Sequence, residues 1–408
     1  MGSFTKVIEL RGHIIDSLTF PKVLDEILDH GAEYETEEIA IGKTRRDASY
    51  ARIRVTAPSE EILTRVLGHV RRLGAEPVEE EEVRLAPATG DGFFPEGFYA
   101  TTNLPTRVKH GGRWLQVEDV CMDSGIRVLP REGRALCVKM SQVRAGDPII
   151  VGHDGVKVDP LRKDPLRRGF FEFMSSTVSP EKSKGLLIQE IAREMRDVKA
   201  QGKGKILWVV GPALVHTGAR DSFCRIIDAG YVDVVFSGNG MAAHDIEASL
   251  YGTSLGVSLT AGKILPRGHE HHLRAINFIR SLGGIARAVE SGHLSSGILY
   301  SLIRREIPFV LAGSIRDDGP LPEAITDTLE AQRRMRDLCR GVSMAVMIAT
   351  MLHAIATGNL LPAAVRTVCV DINTEMVTKL ADRGTHQSLG LVTDAELFLR
   401  ELAGKLGG

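Results

Sequence analysis

The chain has 408 residues, too many for one small core, and its 43% hydrophobic and 25% charged composition is that of a globular protein with two or three domains. The formal net charge is −1, acids and bases are interspersed, and only 5% of residues are aromatic. That disfavours both a phosphate-tracking groove and a base-stacking platform, so a nucleic-acid role is not expected.

In chain order, VIELRGHI reads as a strand and FPKVLDEILDHG as a helix ending at Gly31, followed by two strands, EYETEEIAIGK and YARIRVTA. PSEEILTRVLGHVRRLG then has every mark of a helix, with Ser59 at its start, Glu60 and Glu61 in the first turn, Arg71 and Arg72 in the last, and Gly74 as terminator. AEPVEEEEVRL supplies a last strand. Residues 1–83 are therefore expected to form a ferredoxin-like α+β module, whose fold alone does not say what it does. Residues 84–175 are rich in Gly, Pro and Asp between short β-branched runs (RWLQVEDV, GIRVLP, ALCVKM, PIIVG), which predicts a small β-rich domain. Within it, Arg162 to Phe173 (RKDPLRRGFFEF) reads as a connector.

Residues 176–408 alternate short apolar strands with helices: KILWVVG, YVDVVFSG, IPFVLAGS, VSMAVMI, RTVCVD and LGLVTD are strands, while TGARDSFCRIIDAG, MAAHDIEASLYG, EMVTKLADRG and DAELFLRELAGKL are helices. Such alternation implies an α/β domain with a mainly parallel sheet of Rossmann type, whose ligands sit beyond the carboxyl ends of the strands.

The strand ends hold the candidate site. GPALVHTG after the first strand lacks GxGxxG spacing and is as well explained by an ordinary strand-to-helix turn. After the second, SGNGMAAHDIE offers Gly238 and Gly240 for close backbone approach and Asn239 for an amide contact; His244, Asp245 and Glu247 follow in the helix, where acids also simply favour the positive helix end. IRDDGPLPE crowds Arg316, Asp317 and Asp318 around a turn that a solvated loop would also use. Thr350, Met351, Leu352 and His353 fall at a helix N-terminus, where unpaired amides favour a pyrophosphate, although His353 taken alone fits a buried helix residue. Asp371 ends RTVCVD at the position from which a carboxylate holds an adenosine ribose, preferring NAD to NADP, although DIN is also a sound helix cap; Asp394 with Ala395 repeats the arrangement one strand later. Lys263 is a candidate for a substrate carboxylate, with a solvated lysine the plainer reading. HEHH, ending at His272, has ligand-type residues that do not all face one point, so no metal site is expected.

Cys121, Cys137, Cys224, Cys339 and Cys369 are far apart, odd in number and form no CxxC pair, and read as reduced packing residues. MGSFTKVIELRG lacks a signal-peptide pattern, and the apolar run from Val342 to Ile355 is broken by Thr350 and His353; a cytoplasmic protein without a membrane span is expected.

Five segments together, GHIIDSLTFPKVLDEI, SGNGMAAHDIEASLYG, FVLAGSIRDDGPLPEAITD, MLHAIATGNLLP and VCVDINTEMVTKLADRG, make essentially the whole chain resemble the archaeal-type ornithine cyclodeaminase family, whose members carry the conserved region named after lysine-oxoglutarate reductase and saccharopine dehydrogenase. The resemblance implies a deoxyhypusine-synthase-like Rossmann domain, which would account for the missing GxGxxG, bound NAD, and conversion of L-ornithine to L-proline and ammonia in a homo-oligomer. It places NAD contacts on Asn239, Gly240, Asp318, Thr350, Met351, Leu352, His353, Asp371, Asp394 and Ala395. Relatives carry this unit behind an arginine dihydrolase domain that nothing here matches, so arginine hydrolysis is not expected. The chemistry requires a base, a carboxylate for the distal ammonium and a cation for the α-carboxylate. Asp245, Glu247, Asp317 and Asp318 are the acidic candidates and Lys263 or Arg316 the cationic ones. A saccharopine-type amino-acid dehydrogenase and a non-catalytic NAD or amino-acid sensor are the alternatives.

Overall fold

The computed structural model describes residues 4–15, 17–42, 47–77, 82–159, 184–202, 204–258, 270–317, 319–373 and 388–407. The chain divides into two compact units, Met1–Glu172 and Phe173–Gly408.

The first unit contains two sheets. Strands β1 (Phe4–Gly12), β2 (Glu33–Ala40), β3 (Ser49–Ala57) and β4 (Glu76–Pro77) alternate with helices α1 (Thr19–Asp29) and α2 (Glu60–Arg72). They pair antiparallel in the order β2-β3-β1-β4, the arrangement of a ferredoxin-like sandwich. Period-2 alternation buries Ala51, Ile53, Val55 and Ala57 of β3 beneath Val23 and Ile27 of α1 and Val66 and Val70 of α2. Helix α2 starts as its sequence demands, with Ser59 Oγ accepting from the Ile62 amide at 3.3 Å. Strand β2 is exposed throughout, an edge whose acids keep it from pairing further.

Of the strand expected over AEPVEEEEVRL, the described residues form parts of two strands in different sheets. Glu76–Pro77 closes the first sheet, and β5 (Arg84–Pro87) opens a second with β6 (Thr106–His110), β7 (Arg113–Glu118), β8 (Gly125–Leu129), β9 (Arg134–Val138), β10 (Pro148–Val151) and β11 (Val156–Val158). Their order is β11-β6-β7-β9-β8-β10-β5. Gly111 and Gly112, at φ 62° and 74°, make the two-residue turn between β6 and β7 that only left-handed residues close well. Val108, Val117, Ile126, Val128, Cys137 and Ile150 fill the core. The connector Arg162 to Phe173 lies outside the described residues.

The second unit opens with α3 (Lys184–Gln201), β12 (Lys205–Val210), α4 (Ala213–His216), α5 (Arg220–Asp228), β13 (Val234–Gly238), α6 (Asn239–Tyr251) and a hairpin of β14 (Thr253–Ser254) and β15 (Val257–Ser258). Helices α7 (His271–Leu282), α8 (Ile285–Glu290) and α9 (Ile298–Arg304) lead to β16 (Phe309–Ala312), β17 (Ala324–Ile325), α10 (Thr328–Leu338), β18 (Val342–Ile348), α11 (Leu352–Leu360), β19 (Arg366–Asp371), β20 (Ser388–Val392) and α12 (Ala395–Leu406). The helix expected over EMVTKLADRG lies outside the described residues.

The seven strands run β17-β16-β13-β12-β18-β19-β20, with every pair parallel. Ile206 to Val210 are all fully buried, as a central parallel strand covered on both faces requires. From β12 the chain builds outward through β13, β16 and β17, then crosses back to add β18, β19 and β20 on the other side. The strand order therefore reverses between β12 and β18, and in open parallel sheets that switch point is where ligands bind. No helix among the described residues is long and apolar enough to cross a membrane.

Candidate active site

The carboxyl ends of β12 and β18 meet through Gly211. A Cβ built there would overlap the Ala349 carbonyl oxygen and stand 3.1 Å from Thr350 Cβ, so no other residue fits without moving the second loop. Ala349 itself holds a left-handed φ of 50°, and its amide donates to Val370 O at 3.1 Å, which ties the β18 loop to the end of β19. On the other side of β12, a Cβ at Gly238 would meet the His353 ring at 3.0 Å. The Gly211 and Gly238 backbones thus pack closely against the Ala349–His353 segment at the switch point, the place where open parallel sheets hold their ligands.

Helix α11 points its N-terminus into this region. Its first internal hydrogen bond is from Ile355 N to Met351 O at 3.0 Å, and no side chain caps it, so the preceding amides are not consumed within the helix. Thr350 Oγ1 lies 3.3 Å from His353 Nδ1. Burial pushes the His353 pKa down, with the nearby Asp317 carboxylate opposing it. Large apolar side chains stand exposed on the adjoining loop tips: Ile315, Met351 at 40%, and Leu352 and Ile372 each at 76%.

A second polar group lies along α6. Glu247 is fully buried and accepts from Thr253 Oγ1 at 2.8 Å, from the Gly256 amide at 2.9 Å and from the Leu255 amide at 3.2 Å, while His244 Nδ1 stands 3.2 Å away. Burial alone would push its carboxyl up, but the hydrogen bonds from His244, Gly256 and Thr253 outweigh it and hold the group below the ordinary carboxylate range. A carboxylate only accepts, so His244 carries its proton on Nδ1 and, when neutral, presents a lone pair on Nε2. The His216 ring packs edge-on against His244 at 4.7 Å, and the His272 ring lies 6.2 Å from it. His216 Nδ1 is 2.5 Å from Ser254 Oγ. His271 Nδ1 is 2.8 Å from Thr253 Oγ1, whose one proton is already given to Glu247.

Several sequence expectations acquire different roles. Asp245 is fully buried and holds Arg220 Nε at 2.7 Å and the amides of Ile298 and Leu299 at 3.0 and 2.8 Å, so it anchors the start of α9. Glu247, with four donors around it, holds His244 through Nδ1. Asn239 Oδ1 accepts from the Leu321 amide at 2.8 Å, which fixes the side chain and leaves its NH2 group as a donor. A Cβ at Gly240 would meet only Pro212 Cγ at an ordinary 3.8 Å, so no protein atom crowds this glycine. Asp394 caps α12, accepting from the Glu396 and Leu397 amides at 2.9 and 3.2 Å, and Ala395 behind it is buried. Asp317 Oδ2 accepts from the Ser314 amide at 2.7 Å and faces His353; Arg316 is exposed. Asp371 accepts from the Asn373 amide through Oδ1 at 2.8 Å. Lys263 and Asp318 lie outside the described residues.

The structure brings Thr350, His353, Asp317, Asn239 and Gly238 to one end of the sheet. From sequence, GPALVHTG, which holds Gly211 and His216, reads as an ordinary turn, since their partners, Ala349 and His244, are joined to them only by the fold.

Two histidines with depressed pKa values make acid stability a test. Burial lowers His216, aided by its neighbour His244, and burial lowers His353. Unfolded, each takes up a proton below about 6.5, whereas the folded chain resists it, so stability is lost as pH falls below that value until the folded histidines protonate. Thermal melts from pH 8 to 5 should show a fall that shrinks in His353→Gln; an unchanged slope in that variant counts against the assignment.

Residues 189–402 match the family described as arginine dihydrolase ArgZ-like, C-terminal, Rossmann fold. Residues 5–104 match the LOR/SDH bifunctional enzyme conserved region, and 105–188 the ArgZ-like C-terminal first region. The chain is 52% identical to the ornithine cyclodeaminase of Methanocaldococcus jannaschii, over 99% of this chain and 96% of that one, and 52% identical to that of Methanopyrus kandleri over 98% and 97%. Among solved structures it is similar to a LOR/SDH protein from Methanococcus maripaludis, at TM-score 0.75 and 46% identity over 80% of this chain and 98% of that one. It is also similar to AgrE in its ternary complex with ornithine and NAD+, at TM-score 0.53 and 38% identity, covering 99% of this chain and 58% of that longer one.

Proposed function

The chain belongs to the family of the archaeal ornithine cyclodeaminases and the ArgZ-like C-terminal region, and from that premise we propose that it converts L-ornithine to L-proline and ammonia with NAD as a regenerated cofactor. The observation that carries this reading is the β12/β18 switch point, where Gly211 lets the backbones of two strand ends approach and the uncapped start of α11 leaves its first amides without helical partners. The ornithine and NAD+ held by AgrE support the choice of ligands.

When bound, NAD supplies a reversible two-electron oxidation at the ornithine α-carbon, so that the cofactor ends unchanged. Everything else falls to this chain. The amides leading into α11 at Met351, Leu352 and His353 receive the pyrophosphate, as helix N-termini do. Asp371 keeps Oδ2 for the adenosine ribose and repels a 2′-phosphate, and the exposed Met351, Leu352 and Ile372 give the adenine an apolar surface. His353, kept neutral by burial, stands at the substrate end of the switch point, and Asp317 beside it attracts an ammonium group. The substrate δ-amine must lose a proton before it attacks the α-carbon and ammonia leaves. We assign that proton to His244 Nε2, with Glu247 as the positioning residue that fixes its tautomer. Helix α6 begins at the switch point with Asn239 and carries His244 on the same element.

Incubation of the protein with L-ornithine and substoichiometric NAD is the test. Proline and ammonia should form in amounts far exceeding the cofactor, with no lasting absorbance of reduced NAD. One reduced cofactor per turnover would instead make the protein an amino-acid dehydrogenase.

A further inference from the structure

Outside the second unit, α1 and α2 bring together Glu26, His30 and His69. Glu26 and His30 are one turn apart on α1 and its C-cap, and His69 comes from the last turns of α2. Glu26 Oε2 is 3.4 Å from His30 Nδ1 and 3.4 Å from His69 Nδ1, and the two rings lie 4.0 Å apart at 35°. All three donor atoms fall within 4.8 Å of one another, and among the described residues no other set of three His, Cys, Asp or Glu side chains does so. Oε2 is buried and accepts no hydrogen bond, although the Glu26 side chain is 38% exposed.

We propose that these three residues bind one divalent transition-metal ion of the zinc class, joining α1 to α2. The spacing argues for shared ligation over a plain ion pair. Charge-assisted hydrogen bonds close to about 2.7–2.9 Å. A tetrahedral shell with bonds of about 2.0–2.1 Å instead puts neighbouring donors about 3.3–3.4 Å apart, which is the separation of Oε2 from both imidazoles. Two imidazoles and one carboxylate suit zinc and its neighbours. Three protein ligands, each part-exposed, leave the fourth position open to water. His30 Nδ1 also lies 2.9 Å from the Glu26 carbonyl oxygen, so ligation through Nδ1 replaces that contact and moves the ring proton to Nε2. The ion is not part of the proposed ornithine chemistry. The site was invisible in the sequence because two helices must pack before His69 reaches α1.

Titration of the full chain with Zn2+ against a chromophoric chelator should give one equivalent bound in the micromolar range or tighter. His69→Gln should weaken it at least tenfold, while His272→Gln, in the other histidine group, should leave it unchanged. Co2+ in the same site should show the visible d–d bands of a tetrahedral nitrogen–oxygen shell. Each variant's melting temperature without metal reports whether it folds, and Glu26→Gln provides a second lesion should His69→Gln fail to. No binding tighter than weak millimolar association, or an equivalent lost in His272→Gln and kept in His69→Gln, overturns the proposal.

Discussion

Gly211→Ala is expected to lower stability by about 1–3 kcal/mol and to weaken NAD binding by roughly tenfold or more. The added Cβ falls on the Ala349 carbonyl oxygen and against Thr350, so the β12 and β18 ends must part. Parting them shifts Ala349, whose amide is bound to Val370 and which leads directly into the α11 N-terminus. One methyl group thus acts on the sheet, on the switch point and on the proposed pyrophosphate site together. Gly240→Ala is the control. Its Cβ would stand 3.8 Å from Pro212, an ordinary contact, and the exchange in a helix should be neutral or stabilising by up to about 1 kcal/mol. Thermal melts with and without NAD, and a fluorescence titration of NAD, measure both variants. Native melting and native affinity in Gly211→Ala would mean that the switch point does not hold the cofactor.

Asp245→Ala should cost about 3–5 kcal/mol, because it strands the largely buried Arg220 guanidinium and deprives the Ile298 and Leu299 amides of their acceptor at the start of α9. Gly297, just before that helix, packs so closely that a Cβ added to it would meet Asp245 Oδ1 at 2.7 Å, so the loop has no slack to find another acceptor. Asp245→Asn keeps an acceptor and should lose less. Urea unfolding separates the roles: an Asp245→Ala protein as stable as the parent but without turnover would return Asp245 to the candidate bases.

The strands of the second unit were legible because buried parallel strands announce themselves as continuous apolar runs, and LWVV, VVF and MAVMI do so. The two-residue strands β14, β15 and β17 carry no such pattern and depend on their partners. For the same reason the site was legible as a set of loops and not as a set of roles. An acid after a strand reads alike whether it holds a ribose, caps a helix as Asp394 does, or anchors a distant loop as Asp245 does; only the donors around it decide. His244 and Glu247 illustrate the limit from the other side. Three residues apart on a helix, they were visible as neighbours, but the amides of Leu255 and Gly256 that fill Glu247 come from beyond the helix end. Spacing is a poor guide to the glycines, since crowding singles out Gly211 and Gly238 and leaves Gly240 room.

A redox-neutral cyclisation, in which the α-carbon is oxidised and reduced again within one active site, is tested most directly with α-deuterated ornithine. Proline that retains the deuterium on its α-carbon is expected, formed with one ammonia per turnover and no net reduced cofactor. Proline carrying solvent hydrogen there, or deuterium accumulating in reduced NAD, would contradict it.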